Sequence, residues 1–186
     1  MRFEARGVIA VVYTHEVDSP VGAITLASDG EALVGLWIEG QKYFARTIQE
    51  REEHPLALFD EVVLWLAAYF AGENPPIDFP YTLTGTPFRQ EVWRILTRIP
   101  YGQVIAYGDI AREMARILGK EKMSAQAVGG AVGHNPLSIV VPCHRVVGSD
   151  GSLTGYAGGL GIKKRLLQLE GVDMSRLCTP VKGTAL

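Results

Sequence analysis

The stretch GENPPIDFPYTLTGTP, from Gly72 to Pro87, divides the chain. Pro75, Pro76 and Pro80 each remove a backbone donor and fix φ, so neither a helix nor a central strand runs through them. An extended connector is expected here. Before it, apolar residues fall in short runs bounded by turn residues; after it, they recur at helical spacing. A chain of 186 residues broken in this way is expected to form two domains, 1–85 and 86–186.

In the first domain, VIAVVYTHEV reads as a strand. SPVGAITLASDGEALVGLWI reads as a hairpin with Asp29-Gly30 in its turn region. LFDEVVLWLAAYFAGE places Phe59, Val62, Val63, Leu66, Tyr69 and Phe70 at helical spacing, with Gly72 as its stop. His15 and His54 are isolated and read as surface or structural residues. The second domain opens with TPFRQEVWRILTRIP, in which Thr86 is a candidate N-cap and Pro87 the first helical residue. AYGDIAREMARILG is a second helix, with Ile110, Met114 and Ile117 inward and Gly119 as its stop. SAQAVGGAVGHNP is a short third helix capped by Ser124. A strand at LSIVV, a cysteine segment, a glycine-rich hairpin from Val146 to Leu160 and a basic last helix, IKKRLLQLEG, complete an α/β chain. Three helices followed by a hairpin is the order of a winged helix-turn-helix, whose last helix of the trio enters a DNA groove.

The net charge of −2 hides an uneven distribution. Residues 1–85 hold 5 Lys/Arg and 13 Asp/Glu, a balance of −8, and residues 86–186 hold 13 and 7, a balance of +6. The basic half suits a polyanion; an uneven solvated surface would look the same. Cys143 and Cys178 are the only cysteines, too few for a disulfide framework or a four-cysteine zinc site, and they suit a reducing cytoplasmic location. No apolar run approaches the ~20 residues of a membrane span. The N-terminus lacks a small-residue cleavage site and reads as mature strand.

AVGGAVG is a weak helix, because each interior glycine costs roughly 1 kcal/mol relative to alanine. Its small side chains let another backbone come close, either DNA or the first domain; the positive charge of this half favours DNA. Such a helix reads few base edges, so binding would rest on phosphates. Tyr107, Ser124, Arg89, Arg94, Lys163, Lys164 and Arg165 are the candidate phosphate contacts.

In VPCHRVV, Cys143 and His144 follow an apolar stretch. A thiol attacks as thiolate, and His144 is placed to take its proton directly or through water. Such a base needs an orienting group, and Glu170 in LLQLEG is a candidate inward-facing carboxylate. A buried structural thiol is the alternative, but the flanking proline and arginine are unusual for a core position. Asn135-Pro136 turns the chain from the third helix toward Cys143. A thiol beside a helix in a DNA groove points to chemistry on a base, which must be flipped out to react. In GSDGSLTGYAGG, Tyr156 offers a stacking face, and Gly158 and Gly159 leave room for a planar ring.

VPCHRVV with GYAGG, the upstream NP, AVGGAVG, IPYGQVIAYGDIA and LLQLEG resemble the O6-alkylguanine-DNA alkyltransferases, densely over the C-terminal half. SPVGAITLASDG fits that family's variable N-terminal domain. The resemblance implies a ribonuclease-H-like N-terminal domain and a winged-helix C-terminal domain. It implies single-turnover repair of double-stranded DNA carrying O6-alkylguanine, or O4-alkylthymine, by a monomer that needs no cofactor. Cys143 would be the alkyl acceptor, His144 its activator through water and Glu170 the orienter of His144. Asn135 would be the hinge between helix and site, and Tyr107 would rotate the target nucleotide's phosphate. Tyr156 would stack or donate toward guanine, and Arg145 would hold the pocket. Main-chain groups around Val146, Leu153 and Ala157 would meet the base, with Gly158 beside them and Ser124 on the DNA.

Two departures stand out. Gln126 occupies the position where many members carry an arginine that fills the space left by the flipped base. Residues 1–85 contain no cysteine, so the zinc of some relatives is not expected. A lesion-binding module without chemistry is the rival reading, and its family relatives lack the cysteine. A cysteine hydrolase or redox sensor is a third.

Overall fold

The computed structural model describes residues 2–4, 9–46 and 48–179. They fall into two compact units, Met1–Gln90 with Pro136–Val140, and Glu91–Asn135 with Val141–Leu186.

The first unit holds β1 (Arg2–Glu4), β2 (Ile9–Val17), β3 (Ile24–Ser28), β4 (Leu33–Ile38), β5 (Ile48–Glu53), α1 (Ala57–Phe70) and β6 (Thr82–Thr84). Four strands form a sheet in the order β4-β3-β2-β5, and β1 pairs in parallel with β6. The hairpin at Asp29-Gly30 is present as antiparallel β3 and β4. Gly30 has φ 97°, and the Asp29 carboxylate accepts from the N–H groups of Glu31 and Ala32. Helix α1 buries Phe59, Val62, Leu66 and Tyr69 as expected, while Val63 and Phe70 are half-buried; Gly72 follows it at φ 89°. His15 stacks on Phe59 and His54 lies against Tyr13.

Sequence patterning does not show β5. Its sequence, IQEREE, is charged, and it pairs in parallel with β2 at the sheet edge, where charge opposes edge-to-edge association. At the opposite edge the backbone of β4 is covered. Leu33 N–H donates to the Pro80 carbonyl and Leu36 N–H to that of Pro136, both at 2.9 Å.

The strand expected at LSIVV is not there. Only Leu137 bridges to β4, at Leu36. Ser138 N–H then donates to the Leu36 carbonyl, and its hydroxyl donates to Gln41 Oε1 at 2.9 Å. Ile139 has φ 70°, and Val140 N–H donates back to the Ser138 carbonyl. This is a γ-turn of the strained hand, on a β-branched residue. A buried apolar run suits strand and turn equally, so its pattern did not separate them.

The second unit holds the rest of α2 (Pro87–Leu96), then β7 (Ile105–Ala106), α3 (Tyr107–Ile117), α4 (Ala125–Gly133), β8 (Val146–Val147) and α5 (Leu160–Leu169). All three expected helices are present, and Ile110 and Met114 of α3 are buried as expected, but Ile117, expected inward at its C-terminal end, is exposed. Arg89 N–H donates to Thr86 Oγ1 and Gln126 N–H to Ser124 Oγ, each a side-chain cap. Gly119 follows α3 at φ 61°. Trp93 is fully buried, and its indole N–H donates to the Ala131 carbonyl at 2.9 Å, tying α4 to α2. That bond fixes a helix whose glycines give it little stability of its own.

The expected hairpin from Val146 to Leu160 is reduced. β8 pairs in parallel with β7, and the chain then turns at Gly148–Ser152. Ser152 bridges instead to Cys178, where Leu153 N–H donates to the Cys178 carbonyl. Six glycines between 148 and 161 supply turn conformations but few side chains to hold a ladder.

In β4, Trp37 lies over Gly35, so that a Cβ at Gly35 would enter the indole ring. Trp37 is buried and cannot swing away. Gly35→Ala should therefore destabilise the protein by about 1–3 kcal/mol through overpacking, read as a lower urea midpoint at unchanged m-value.

Candidate active site

Pro142 has φ −80° and ψ 62°, which lets Cys143 N–H donate to the Val141 carbonyl at 2.8 Å. That is the relaxed γ-turn. It opens a 3-10 turn over Cys143–Arg145, closed by Arg145 N–H on the Pro142 carbonyl. Cys143, His144 and Arg145 are all buried. Asn135 follows α4 and is buried, with its amide nitrogen donating to the Val141 carbonyl at 2.8 Å and to Cys143 Sγ at 3.1 Å. One side chain thus links the end of α4 to the thiol.

Glu170 caps α5 rather than lying within it. Its buried carboxylate gathers four donors. Oε1 accepts from His144 Nε2 at 2.7 Å and Arg145 Nη2 at 2.9 Å; Oε2 accepts from Arg145 Nε at 2.8 Å and Gly102 N–H at 3.3 Å. Arg145 Nη1 donates to the Ile99 carbonyl at 2.6 Å.

The electrostatics assign proton positions. Burial would raise the Glu170 pKa, but the hydrogen bonds and charges of His144 and Arg145 outweigh it and hold the pKa at about 2. An ionised Glu170 only accepts, so His144 Nε2 carries a proton. Burial lowers the His144 pKa against the pull of Glu170, so the ring is neutral. Its Nδ1 is buried and makes no hydrogen bond, leaving a basic lone pair. Burial raises the Cys143 pKa, opposed by the Asn135 amide, the Lys163 charge and the N–H groups of Cys143 and His144. The resting site therefore holds a neutral thiol, a neutral base next to it in the chain, and a carboxylate ready to stabilise the imidazolium once the proton moves.

Residues 12–83 match the profile of the 6-O-methylguanine DNA methyltransferase ribonuclease-like domain, and residues 87–172 that of the same family's DNA binding domain. The chain belongs to the 6-O-methylguanine DNA methyltransferase family. The methylated-DNA--protein-cysteine methyltransferase of Mycobacterium tuberculosis (strain ATCC 25618 / H37Rv) is 42% identical over 160 residues, covering 86% of this chain and 93% of that protein. The relative of the same name from Methanosarcina acetivorans is 45% identical over 157 residues, covering 83% and 95%. Among solved structures, Mycobacterium tuberculosis OGT in complex with DNA aligns with a TM-score of 0.72 at 41% identity, covering 90% of this chain and 95% of that one. The first unit is thus ribonuclease-like and the second is the family's DNA-binding domain.

In this methyltransferase-family domain, the remaining sequence-selected residues are placed as follows. Tyr107 is half-buried at the start of α3, and its hydroxyl donates to the carbonyls of Gly155 at 3.0 Å and Thr154 at 3.3 Å. Burial, then the nearby Cys143, raise its pKa. A Cβ at Gly155 would meet that hydroxyl at 2.8 Å. The Tyr156 ring lies 6.5 Å from that of His144, nearly perpendicular. Gly158 packs under Tyr156, where a Cβ would come within 2.8 Å of the ring. Val146 and Leu153 are buried, and Ala157 is half-buried. Ser124 and Gln126 are exposed at the start of α4, away from the buried cluster.

Lys163 corrects the sequence reading. The sequence puts it with Lys164 and Arg165 as a phosphate contact, but it is fully buried while those two are exposed. Its ammonium donates to the carbonyls of Val146 at 2.5 Å and Thr154 at 2.7 Å. Burial lowers its pKa to about 8, against the pull of Cys143. It ties the strand after the thiol to the glycine-rich loop and places a positive charge near Sγ. Two signals in the sequence could have found it. It follows Gly159 by four residues, and it precedes Leu166 and Leu167 on the buried face of α5.

Two outcomes are expected. The Glu170 pKa is held at about 2, well below the ordinary carboxylate value of 4.5, and that of His144 is pushed below its ordinary 6.5. In both cases the unfolded chain takes up protons that the folded chain does not, so stability falls as pH drops below about 6.5 and goes on falling toward 2. The Glu170 share is on the order of 3 kcal/mol, and urea midpoints from about pH 7 to about pH 3 measure it. In a Cys178→Ser background, Lys163→Met should move the pH of half-maximal iodoacetamide reaction at Cys143 upward. Loss of a purely structural lysine would leave that profile in place.

Proposed function

We propose that this protein repairs alkylated double-stranded DNA by moving an alkyl group from O6 of a flipped-out guanine to Cys143. The observation that carries this is the buried chain of contacts from Asn135 to Cys143 Sγ and from His144 to Glu170, in a chain 42% identical to a methylated-DNA--protein-cysteine methyltransferase. His144 Nδ1 takes the thiol proton, directly or through a water, and Glu170 stabilises the imidazolium. The thiolate attacks the alkyl carbon in line. The S–C bond forms as the C–O6 bond breaks, and the electron pair leaves on guanine. Guanine takes up one proton, for which Tyr156 is the proposed donor, and the proton on His144 balances it. The products are a thioether and an intact guanine. No group near Cys143 can cleave a thioether, so each molecule reacts once.

Asn135 would hold the thiol against the end of α4, and Tyr107 would act on the target phosphate after releasing the Gly155 carbonyl. Backbone groups at Val146, Leu153 and Ala157 would line the base pocket, with Gly158 keeping the Tyr156 face open. Arg145 would hold Glu170. Gln126 and Ser124 would meet the DNA at the start of α4. The protein would act as a monomer in the cytoplasm; among the described residues no helix is long and apolar enough to cross a membrane.

Incubation with duplex DNA containing O6-methylguanine should leave the Cys143 peptide heavier by one methyl group, with one equivalent transferred per protein. Cys143→Ala should bind the duplex and transfer nothing. No adduct at Cys143, where a known alkyltransferase reacts, rejects the reading. Methyl and benzyl substrates in parallel report the alkyl size accepted.

A further inference from the structure

Between α2 and β7 the chain makes a tight turn at Pro100–Gln103, closed by Gln103 N–H on the Pro100 carbonyl at 3.2 Å. Gly102, its third residue, has φ 73°, while Tyr101 stays at negative φ. That is the pattern of a type II turn, which differs from type I by a flip of its central peptide. The N–H of that peptide belongs to Gly102, and it donates to Glu170 Oε2 at 3.3 Å. A Cβ on Gly102 would lie 2.9 Å from the Glu170 carbonyl oxygen. The same segment reaches Arg145 twice. The Ile99 carbonyl accepts from Nη1 at 2.6 Å, and the half-buried Tyr101 ring faces the guanidinium, with 5.7 Å from Cζ to the ring centroid. The Tyr101 hydroxyl donates to the Leu169 carbonyl at 3.4 Å. Ile99, Tyr101 and Gly102 thus grip both members of the Arg145–Glu170 ion pair.

We propose that Tyr101 and Gly102 are positioning residues for the His144 base, acting through the Arg145–Glu170 pair that their turn holds. The proposal rests on the alkyl-transfer reading, in which His144 takes the thiol proton. Glu170 has two demands on it. It must hold the imidazolium once the proton moves, yet not so strongly that His144 is already protonated at rest. Each donor on the carboxylate draws off charge that would otherwise hold the His144 proton. The groups facing His144 are Glu170, Arg145, Lys163, Cys143 and the edge-on Tyr156 ring. Those facing Glu170 are His144, Arg145, Gly102 N–H and Tyr101. Burial lowers the His144 pKa, Glu170 raises it, and Arg145 and Lys163 lower it again. The face of the Tyr101 ring attracts the guanidinium and keeps it on the carboxylate. A leucine would occupy that space without attracting the cation. With the turn loosened, Glu170 is less compensated, and His144 keeps its proton to higher pH.

The test compares Tyr101→Leu, Tyr101→Phe and Gly102→Ala in a Cys178→Ser background. Rates of transfer from free O6-benzylguanine, and of iodoacetamide reaction at Cys143, are followed over pH, and the acidic limb of each profile is read. Tyr101→Leu should move both limbs upward by about half a pH unit. Tyr101→Phe keeps the ring over the guanidinium and should restore the parent limb. Gly102→Ala should move the limbs upward by about one unit, because a side chain at this φ displaces the N–H from the carboxylate. A limb that stays in place in Tyr101→Leu, whatever happens to the rate, overturns the proposal; a turn that only supports the fold would give that result. A shift in Tyr101→Phe as large as in Tyr101→Leu also overturns it, since the hydroxyl and not the ring would then be responsible. If Gly102→Ala does not fold, the two Tyr101 variants decide alone. If the parent protein transfers no alkyl group from base or duplex, the repair reading fails, while the iodoacetamide limb still decides the role of the turn.

Discussion

A carboxylate removed from water must be matched by donors, or the fold loses several kcal/mol. Glu170, at the end of α5, is that carboxylate, and its four donors come from two other parts of the chain, Gly102 and the His144-Arg145 pair. Arg145 is the decisive partner. It supplies two of the four hydrogen bonds and a full charge, and it also holds the Ile99 carbonyl. With Arg145 in place Glu170 stays ionised, and an ionised Glu170 fixes the tautomer of His144. The lone pair on Nδ1 is then a consequence of an ion pair on the far side of the ring. Replacing Arg145 would act on the thiol through three linked side chains without touching it.

The resting thiol is held neutral by burial, although three nearby donors and one cation favour the thiolate. For a turnover enzyme, a thiol that must be deprotonated in each cycle is a cost. For an acceptor that reacts once, it is protective, because oxidants and adventitious electrophiles react with the thiolate. The exposed thiol is Cys178, while its backbone joins the turn at Ser152. On the proposed reading, the protein keeps its single-use group neutral and covered, and keeps the base that activates it one residue away.

The sequence made legible what depends on local pattern. The apolar spacing of α1 to α3, the cap at Ser124, the turn at Asp29-Gly30 and the Cys143, His144 and Glu170 constellation could all be read from residue type and spacing. What escaped depends on partners distant in the chain. Lys163 sits in a run of three cations that reads as a solvated face, and only the Val146 and Thr154 carbonyls explain its burial. IQEREE becomes a strand because β2 offers an unpaired edge, which no propensity encodes. LSIVV reads as a strand by composition, yet it meets β4 at a single residue and then turns at Ile139. The donor from Gly102 is a backbone group, invisible to any search over side chains.

Helix α4 makes the division of labour concrete. Its small residues allow close approach, and the indole of Trp93 and the amide of Asn135 hold its C-terminal end. Long charged side chains on the same surface would hold DNA away from it. On the proposed reading, the positive balance of residues 86–186 would attract the phosphates without adding bulk to the helix, and an uncharged Gln126 would need mainly to fill volume and satisfy the hydrogen bonds of an orphaned base.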